Sequence, residues 1–397
     1  VERIGELERK YVSEVLDEQF RTSSAGKWVR RFEDAFCEKI GAKYGVALCN
    51  GTATLHTALL ALGVGPGDEV ITSPLTMASP SFAILYCGAK PVFADINPDT
   101  WCIDPHDIER KITPKTKGLL VIHLFGMPCD MDAIMDIARR HNLFVLEDAA
   151  QAVGATYKGK HVGTIGNAGS FSFQSSKHLT AGEGGILVTD DEELARKFRQ
   201  ISGLGYASLS AGQNRITKDD IQKPDAIRHT EVGYNYRPTD LACAVLLAQT
   251  ERMEKLVEYR QWVAVAYHYG CWTERSTTKD GRCGVAPPSW LEPQFRRDYS
   301  IAGSYWTFAF LLKENAPCTW EQFRERFISF YGDSFYGAWR LTYREPVFER
   351  MGYPQTGLCP VAEKVQPRLV CLKTNYFDRD EVWQALALTK TILSFGG

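Results

Sequence analysis

The sequence has no apolar run of the roughly 18 residues that a membrane-spanning helix needs. The longest candidate, 118–129, is too short and contains His123. It has no excess of either charge: 46 Lys+Arg stand against 48 Asp+Glu, a formal net charge of −2. That balance removes the electrostatic reason to expect general nucleic-acid or anionic-membrane binding. None of its 11 cysteines forms a C-x-x-C pair, and their number is odd. Reduced core and surface thiols are therefore expected, not a disulfide framework. There is no G-x-x-x-x-G-K-[ST] loop, no H-E-x-x-H and no histidine pair at metal-ligand spacing, so no metal site is expected. Repeats, low-complexity tracts and an obvious flexible linker are lacking too. The first residues, V-E-R-I-G-E-L-E-R-K, contain no apolar signal-peptide core, and a cytoplasmic location is the expectation.

What is present is ordinary enzyme material. The 397 residues are 44% apolar and 24% charged, which suits a large buried core divided among two or three domains. In the first half short apolar runs alternate with helix-like stretches. Strands are expected at Val46–Cys49, Glu69–Thr72, Pro91–Ala94, Leu119–Ile122 and Leu143–Leu146. Helices are expected at about Thr52–Leu62, through Phe82–Tyr86, and at Pro105–Lys111 and Met131–His141. This alternation argues for a mostly parallel α/β sheet. Two more strands, Phe171–Phe173 and Gly185–Thr189, flank a Gly-rich loop, and a helix follows at Glu192–Ile201. Tyr206–Thr230 is polar and aperiodic, a long loop of the kind that is functional or part of an interface. Helical spacing from Pro238 to about Tyr269 predicts one long helix joining two domains. The tail mixes a strand (Tyr305–Leu312) with helices (Trp320–Ser329, Asp380–Leu393). The expected division is 1–255, a large α/β domain with an N-terminal helical arm, and 256–397, a smaller α+β domain.

Some motifs invite a functional reading that their context denies. Gly63-Val-Gly65-Pro-Gly67 resembles a dinucleotide fingerprint, but a strand follows it, and the fingerprint's mechanism needs a helix N-terminus. A helix-to-strand turn is expected there. His123 beside a strand reads as a structural histidine. Asp104 with Asp107, and Asp219 with Asp220, read as solvated acids.

Three other segments combine into chemistry. Cys49-Asn50-Gly51-Thr52-Ala53-Thr54-Leu55 joins a strand to a helix with small residues, which lets backbone N–H groups approach a phosphate. In Val145-Leu146-Glu147-Asp148-Ala149-Ala150-Gln151, Asp148 stands past the carboxyl end of a buried strand, the edge where open α/β sheets bind ligands. A carboxylate there suits a cationic ring nitrogen. In Ser170 to Gly185, Lys177 lies among hydroxyls and small residues with a Gly-rich turn behind it. A lysine in a partly desolvated site becomes a nucleophile toward carbonyls. A phosphate cradle, an acid and a lysine are the parts a pyridoxal phosphate site requires.

With these motifs the chain resembles the DegT/DnrJ/EryC1/StrS sugar aminotransferases. The resemblance also covers Gly65-x-Gly67-Asp68-Glu69-Val70, His123-Leu124-Phe125-Gly126 and Gly233-Tyr234-Asn235-Tyr236-Arg237. It implies fold type I of the pyridoxal phosphate enzymes: a large domain with a mostly parallel seven-stranded sheet flanked by helices, and a smaller C-terminal α+β domain. It implies that Lys177 bonds to the cofactor aldehyde and shuttles the proton. Asp148 would pair with the pyridinium nitrogen, and Gln151 would contact the ring-hydroxyl side. Backbone groups of Gly51, Thr52 and Ala53, with the Ser172 hydroxyl, would hold the phosphate. Asn235 would reach the phosphate of a neighbouring subunit, giving a homodimer with shared sites, and Arg237 would help build that surface. One departure stands out: Met77 occupies the place where relatives carry an aromatic residue stacked on the ring, and a thioether can cover that face by soft dispersion contact.

The resemblance implies amino transfer from L-glutamine or L-glutamate to a ketone, with pyridoxamine phosphate as the intermediate form. The tail segments Tyr336–Tyr343, Cys359–Glu363 and Lys373–Tyr376 look more like the branch that acts on keto-cyclitols such as scyllo-inosose, in aminoglycoside-type antibiotic biosynthesis. A nucleotide-linked 3-keto or 4-keto hexose is the alternative acceptor, for which Arg340, Arg344, Lys364 and Arg368 are the candidate cations. Two readings of another class remain. One is a dehydratase or eliminase, for which His178 beside Lys177 is the residue to inspect. The other is a cofactor-binding partner without turnover.

Overall fold

The structure is a computed structural model. It describes residues 2–19, 26–212, 222–271, 274–277, 283–294, 303–333, 335–376 and 381–396. Its larger sheet has seven strands: β1 (Tyr44–Leu48), β2 (Glu69–Thr72), β3 (Lys90–Phe93), β4 (Thr116–Ile122), β5 (Phe144–Asp148), β6 (Ala168–Ser172) and β7 (Gly185–Thr189). Their order is β1-β7-β6-β5-β4-β2-β3. Only β7 runs against its neighbours. β1 and β6 are both antiparallel to β7, so β1, β5 and β6 point their carboxyl ends to one edge.

The apolar runs are continuous because both faces of the sheet are covered. Leu119, Val121, Val145, Ile186 and Val188 belong to one core. Their alternates Leu120, Ile122, Leu146 and Leu187 belong to the other. Helices Lys27–Ile40, Met131–His141 and Asp240–Glu251 pack on the first face. Helices Gly51–Ala61, Ser79–Tyr86 and Glu192–Ser202 pack on the second. Arg199 links the helices of the two faces beside β1, with Nη1 and Nη2 donating to Glu33 at 3.0 and 2.9 Å and Nη2 to the Gly45 carbonyl at 2.9 Å.

A second sheet holds β8 (Leu291–Pro293), β9 (Thr307–Leu312), β10 (Tyr336–Gly337) and β11 (Leu369–Lys373), ordered β8-β9-β11-β10. It has its own core with helices Trp320–Ser329 and Glu381–Leu393. After β10 the chain returns to the large sheet: Leu341, Tyr343, Phe348, Cys359, Ala362 and Val365 join the first core. The Asp95 carboxylate holds this return by accepting from the N–H groups of Val361 and Ala362, at 2.8 and 2.9 Å.

The single helix expected over Pro238–Tyr269 is two helices, Asp240–Glu251 and Met253–Cys271. Arg252 divides them at φ −105° and ψ 9°, and its guanidinium grips the buried Glu8 carboxylate. Apolar periodicity runs through the break because both helices bury a face. Residue 255 lies within Met253–Cys271. The Gly63–Gly67 segment is a turn into β2, with Gly63 and Gly67 at φ 79° and 92°. Of the polar stretch Tyr206–Thr230, residues 213–221 lie outside the described residues, and Asp219 and Asp220 with them; its flanks meet at a Tyr206–His229 bridge. Asp380 at the start of the last expected helix is outside them too. Asp104 caps helix Pro105–Lys111, and Asp107 accepts from Arg110 and from the Asp95 N–H. No helix among the described residues is long and apolar enough to cross a membrane.

Candidate active site

The phosphate-type cradle is built by β1 and the helix that follows. Asn50 is extended, at φ −167° and ψ 169°, and its Oδ1 accepts from Ala53 N–H at 2.8 Å. Thr54 N–H donates to the Asn50 carbonyl at 3.2 Å. The first helical N–H groups, those of Gly51 and Thr52, have no protein acceptor among the described residues. They are what a helix start offers an anion. Ala53 differs from them, since the cap occupies its N–H. Gly51 is needed sterically: a Cβ there would stand 2.7 Å from Ser172 Cβ and 3.1 Å from Ser172 Oγ. Ser172 closes β6, so its hydroxyl lies beside the cradle. Thr52 Oγ1 donates to Ser79 Oγ at 3.2 Å, which ties the cradle to the segment after Met77.

Asp148 ends β5 and is buried. Burial pushes its carboxyl above the usual carboxylate range, opposed by the Ala150 N–H at 3.0 Å and by the charge of Lys177. Beneath it, Cys129 N–H donates to His123 Nδ1 at 3.1 Å, so Nε2 carries the proton and donates to Glu147 Oε2 at 3.0 Å. Glu147 also accepts from the N–H groups of Gly163, Ile165 and Gly166 at 2.8, 2.7 and 2.6 Å. This buried network is fully partnered and fixes the strand end that presents Asp148. His123 is the structural histidine its position suggests.

Lys177 sits in the loop between β6 and β7, half-buried. Burial lowers its pKa from 10.5 to about 8; the Asp148 carboxylate pulls the value up and the Arg260 guanidinium pulls it down. Its Nζ lies 4.6 Å from the centre of the Trp306 indole. That ring is one of three stacked slabs. Trp306 and Trp339 lie 5.5 Å apart at 12°, and Phe125 parallels them at 6.5 and 6.1 Å. Phe125 reaches this place with φ 59°, a left-handed backbone. Its N–H donates to Gln151 Oε1 at 2.9 Å. His178 turns away from the lysine: its Nε2 donates to the Ser304 carbonyl at 3.0 Å. Burial holds its pKa well below the usual value, so it stays neutral.

The structure thus brings Gly51, Thr52, Ser172, Asp148, Gln151 and Lys177 to one edge of the sheet and its loops. Met77 is 52% exposed. Asn235 is exposed; its backbone bridges to Gly203, and its side chain makes no hydrogen bond among the described residues. Arg237 is half-buried. Trp306 and Arg260, the neighbours of the lysine, and Trp339, which stacks on Trp306, are what sequence reasoning missed. No motif marks them, and only tertiary packing delivers them.

The chain belongs to the DegT/DnrJ/EryC1/StrS aminotransferase family, whose model matches residues 2–382. It is accordingly a pyridoxal phosphate-dependent aminotransferase of fold type I, of the sugar-aminotransferase kind. It is 43% identical over 265 residues to GDP-perosamine synthase of Caulobacter vibrioides, covering 67% of each chain. It is 42% identical over 235 residues to a Micromonospora echinospora protein described as a candidate L-glutamine:3-amino-2,3-dideoxy-scyllo-inosose aminotransferase, covering 59% of this chain and 53% of that one. Among solved structures it superposes on an aminotransferase from Psychrobacter cryohalolentis with a TM-score of 0.87 and 30% identity, covering 99% and 98% of the two chains. On 3-amino-5-hydroxybenzoic acid synthase the TM-score is 0.82 at 26% identity, covering 98% and 97%. The residues present fit the family's cofactor: a cradle with two free N–H groups that a Cβ at Gly51 would fill, a buried carboxylate, and a lysine of lowered pKa.

Proposed function

We propose that this chain transfers an amino group from L-glutamine or L-glutamate to the ketone of a nucleotide-linked 3-keto or 4-keto hexose. The observation that carries the amino-transfer chemistry is Lys177 Nζ, poised near pKa 8 within the field of the Asp148 carboxylate. Lys177 would hold the cofactor at its aldehyde carbon, and its Nζ would carry the substrate proton. Pyridoxal phosphate, when bound, supplies the electron sink for the substrate carbanion. Asp148 would keep a proton on the ring nitrogen, Gln151 would meet the ring-hydroxyl side, and Gly51, Thr52 and Ser172 would bind the phosphate, with Ala53 behind them as the capped residue. Met77 would cover the ring face. Asn235 of a second copy completes the phosphate site, which makes the active unit a homodimer. The nine cysteines whose side chains the structure describes are free, in keeping with a reducing, cytoplasmic setting.

The acceptor reading rests on the tail cations. Arg344 is held by Glu363 at 3.0 Å and by the Gln355 carbonyl at 2.7 Å. Arg368 donates to the carbonyls of Lys364 and Leu312. Arg340 is exposed, makes no hydrogen bond or ion pair among the described residues, and follows Trp339 of the stack. An unspent guanidinium beside an aromatic wall suits a ring joined to a phosphate. The GDP-perosamine synthase relative points the same way. A keto-cyclitol is the second reading, favoured by the tail segments and by the Micromonospora relative.

The test is an absorbance titration of cofactor-loaded protein with each donor beside Lys177→Ala. Mass analysis of products from a nucleotide-linked 4-keto hexose and from scyllo-inosose would follow. Conversion of the cofactor by a donor, and amination of the nucleotide sugar alone, is the expected result. Amination of the inosose alone would select the second reading. Bound cofactor that no donor converts would replace amino transfer with elimination or a non-catalytic role.

A further inference from the structure

Arg260 is buried, 4% exposed, in helix Met253–Cys271. Its Nη2 donates to the carbonyls of Ser176 and Lys177 at 2.9 and 2.6 Å. Its Nη1 donates to the Trp306 carbonyl at 3.1 Å and to Thr374 Oγ1 at 3.2 Å. All four acceptors are neutral, and no carboxylate pairs with it among the described residues. A guanidinium buried without a counter-ion is costly, and an apolar side chain of similar volume would fill the space more cheaply. The acceptors belong to two segments: the loop that carries the lysine, and the entry to β9. Trp306 closes the circuit. Its Nε1 donates to the same Ser176 carbonyl at 3.1 Å while its ring lies over Lys177 Nζ.

Resting on the assignment of Lys177 above, we propose that Arg260 is the positioning residue for the reaction. By holding the carbonyls of residues 176, 177 and 306 it fixes both the lysine and the indole that covers its amine. The groups that face this amine are few. Asp148 favours its charged form, and Arg260 opposes it. The neutral His178 adjoins it, His123 stands behind Asp148, and Arg3, whose guanidinium donates to the Ser175 carbonyl, stands behind Arg260. The indole face attracts the ammonium form. Arg260 therefore acts twice, through geometry and through a positive charge that keeps the neutral amine accessible.

The experiment uses cofactor-loaded protein and two readouts: the pH midpoint of the Lys177-dependent absorbance band, and kcat against KM for the donor. Arg260→Gln removes the charge and two of the four hydrogen-bond directions. It is expected to raise the midpoint by about one pH unit. It should lower kcat at least about tenfold with KM for the donor within about twofold. Arg260→Lys keeps the charge, so the midpoint should stay native while kcat recovers in part. Trp306→Phe keeps Arg260 but loses the Ser176 bond and weakens the cation–π contact, and should lower the midpoint. A folded Arg260→Gln protein with native midpoint and native kcat would overturn the proposal. If Arg260→Gln does not fold, native behaviour of both other variants overturns it and the stated shifts support it. A native protein with no Lys177-dependent band would instead overturn the assignment of Lys177, and this proposal with it.

Discussion

The lowered pKa of Lys177 can be tested directly by replacing Asp148. At about 8, against 10.5 for an ordinary lysine, roughly a quarter of Lys177 is neutral amine at pH 7.5. An unperturbed lysine would be neutral to about 0.1%, so the reactive form is enriched roughly 200-fold. Burial drives the value down, and the Asp148 carboxylate is the group that limits the fall. Asp148→Asn keeps the side-chain shape and the oxygen that accepts from Ala150 N–H, but removes the charge. The Lys177 midpoint should then drop further, by about one pH unit. Pulsed acetylation of cofactor-free protein across pH, read peptide by peptide by mass spectrometry, gives the midpoint of each lysine. Lys177 should titrate near 8 in the native protein and lower in Asp148→Asn. A native midpoint near 10.5 would refute the desolvation argument. A rise in Asp148→Asn would refute the coupling between the two groups.

Three further outcomes follow from the same geometry. Glu147→Gln leaves the shape but sets an amide NH2 against backbone N–H donors, and should cost about 3 kcal/mol of stability in denaturant titration. Gly51→Ala places a methyl 2.7 Å from Ser172 Cβ; equilibrium dialysis should show cofactor affinity reduced at least about tenfold, with an unchanged far-ultraviolet circular dichroism spectrum. Lys177→Met should raise the Tm of the cofactor-free protein at pH 7. The folded pKa lies below the unfolded value, so the charged lysine destabilises the fold below about pH 8, and the gain should fade as pH rises toward 10.5.

Much of the large sheet was legible because its strands are local apolar runs ended by turns. Glu69–Thr72, Gly185–Thr189 and helix Met131–His141 lie where their patterns put them. Lys177, Asp148 and the Asn50–Ala53 cradle could be nominated from sequence for a different reason. Each is a short motif whose chemistry is carried by consecutive residues. The break at Arg252 was not legible, since both helices bury an apolar face and the residue at the break pairs with Glu8, distant in sequence. Nor was the role of Ala53, whose N–H is spent on a cap that only the extended backbone of Asn50 reveals.

The residues that complete the lysine's surroundings come from the parts of the chain where periodicity says least. Trp306 precedes β9, Trp339 follows β10 on the segment that returns to the large core, and Phe125 sits in a left-handed turn after β4. Their rings meet only because the small sheet packs against the carboxyl edge of the large one. The charge state of Lys177 is therefore a property of the contact between two cores and not of its own loop. A displacement of the small sheet by an ångström or two would lift the indole from the amine and admit water to it. Both changes act on the same proton equilibrium, in opposite directions: losing the indole removes an attraction for the ammonium, and hydration removes the burial that penalises it. Burial is the larger cause of the lowered value, so loosening this contact should return Lys177 toward an ordinary lysine. Mutations in the small-sheet core, far from any cofactor contact, should then lower activity at neutral pH by reducing the neutral amine before they lower the Tm appreciably.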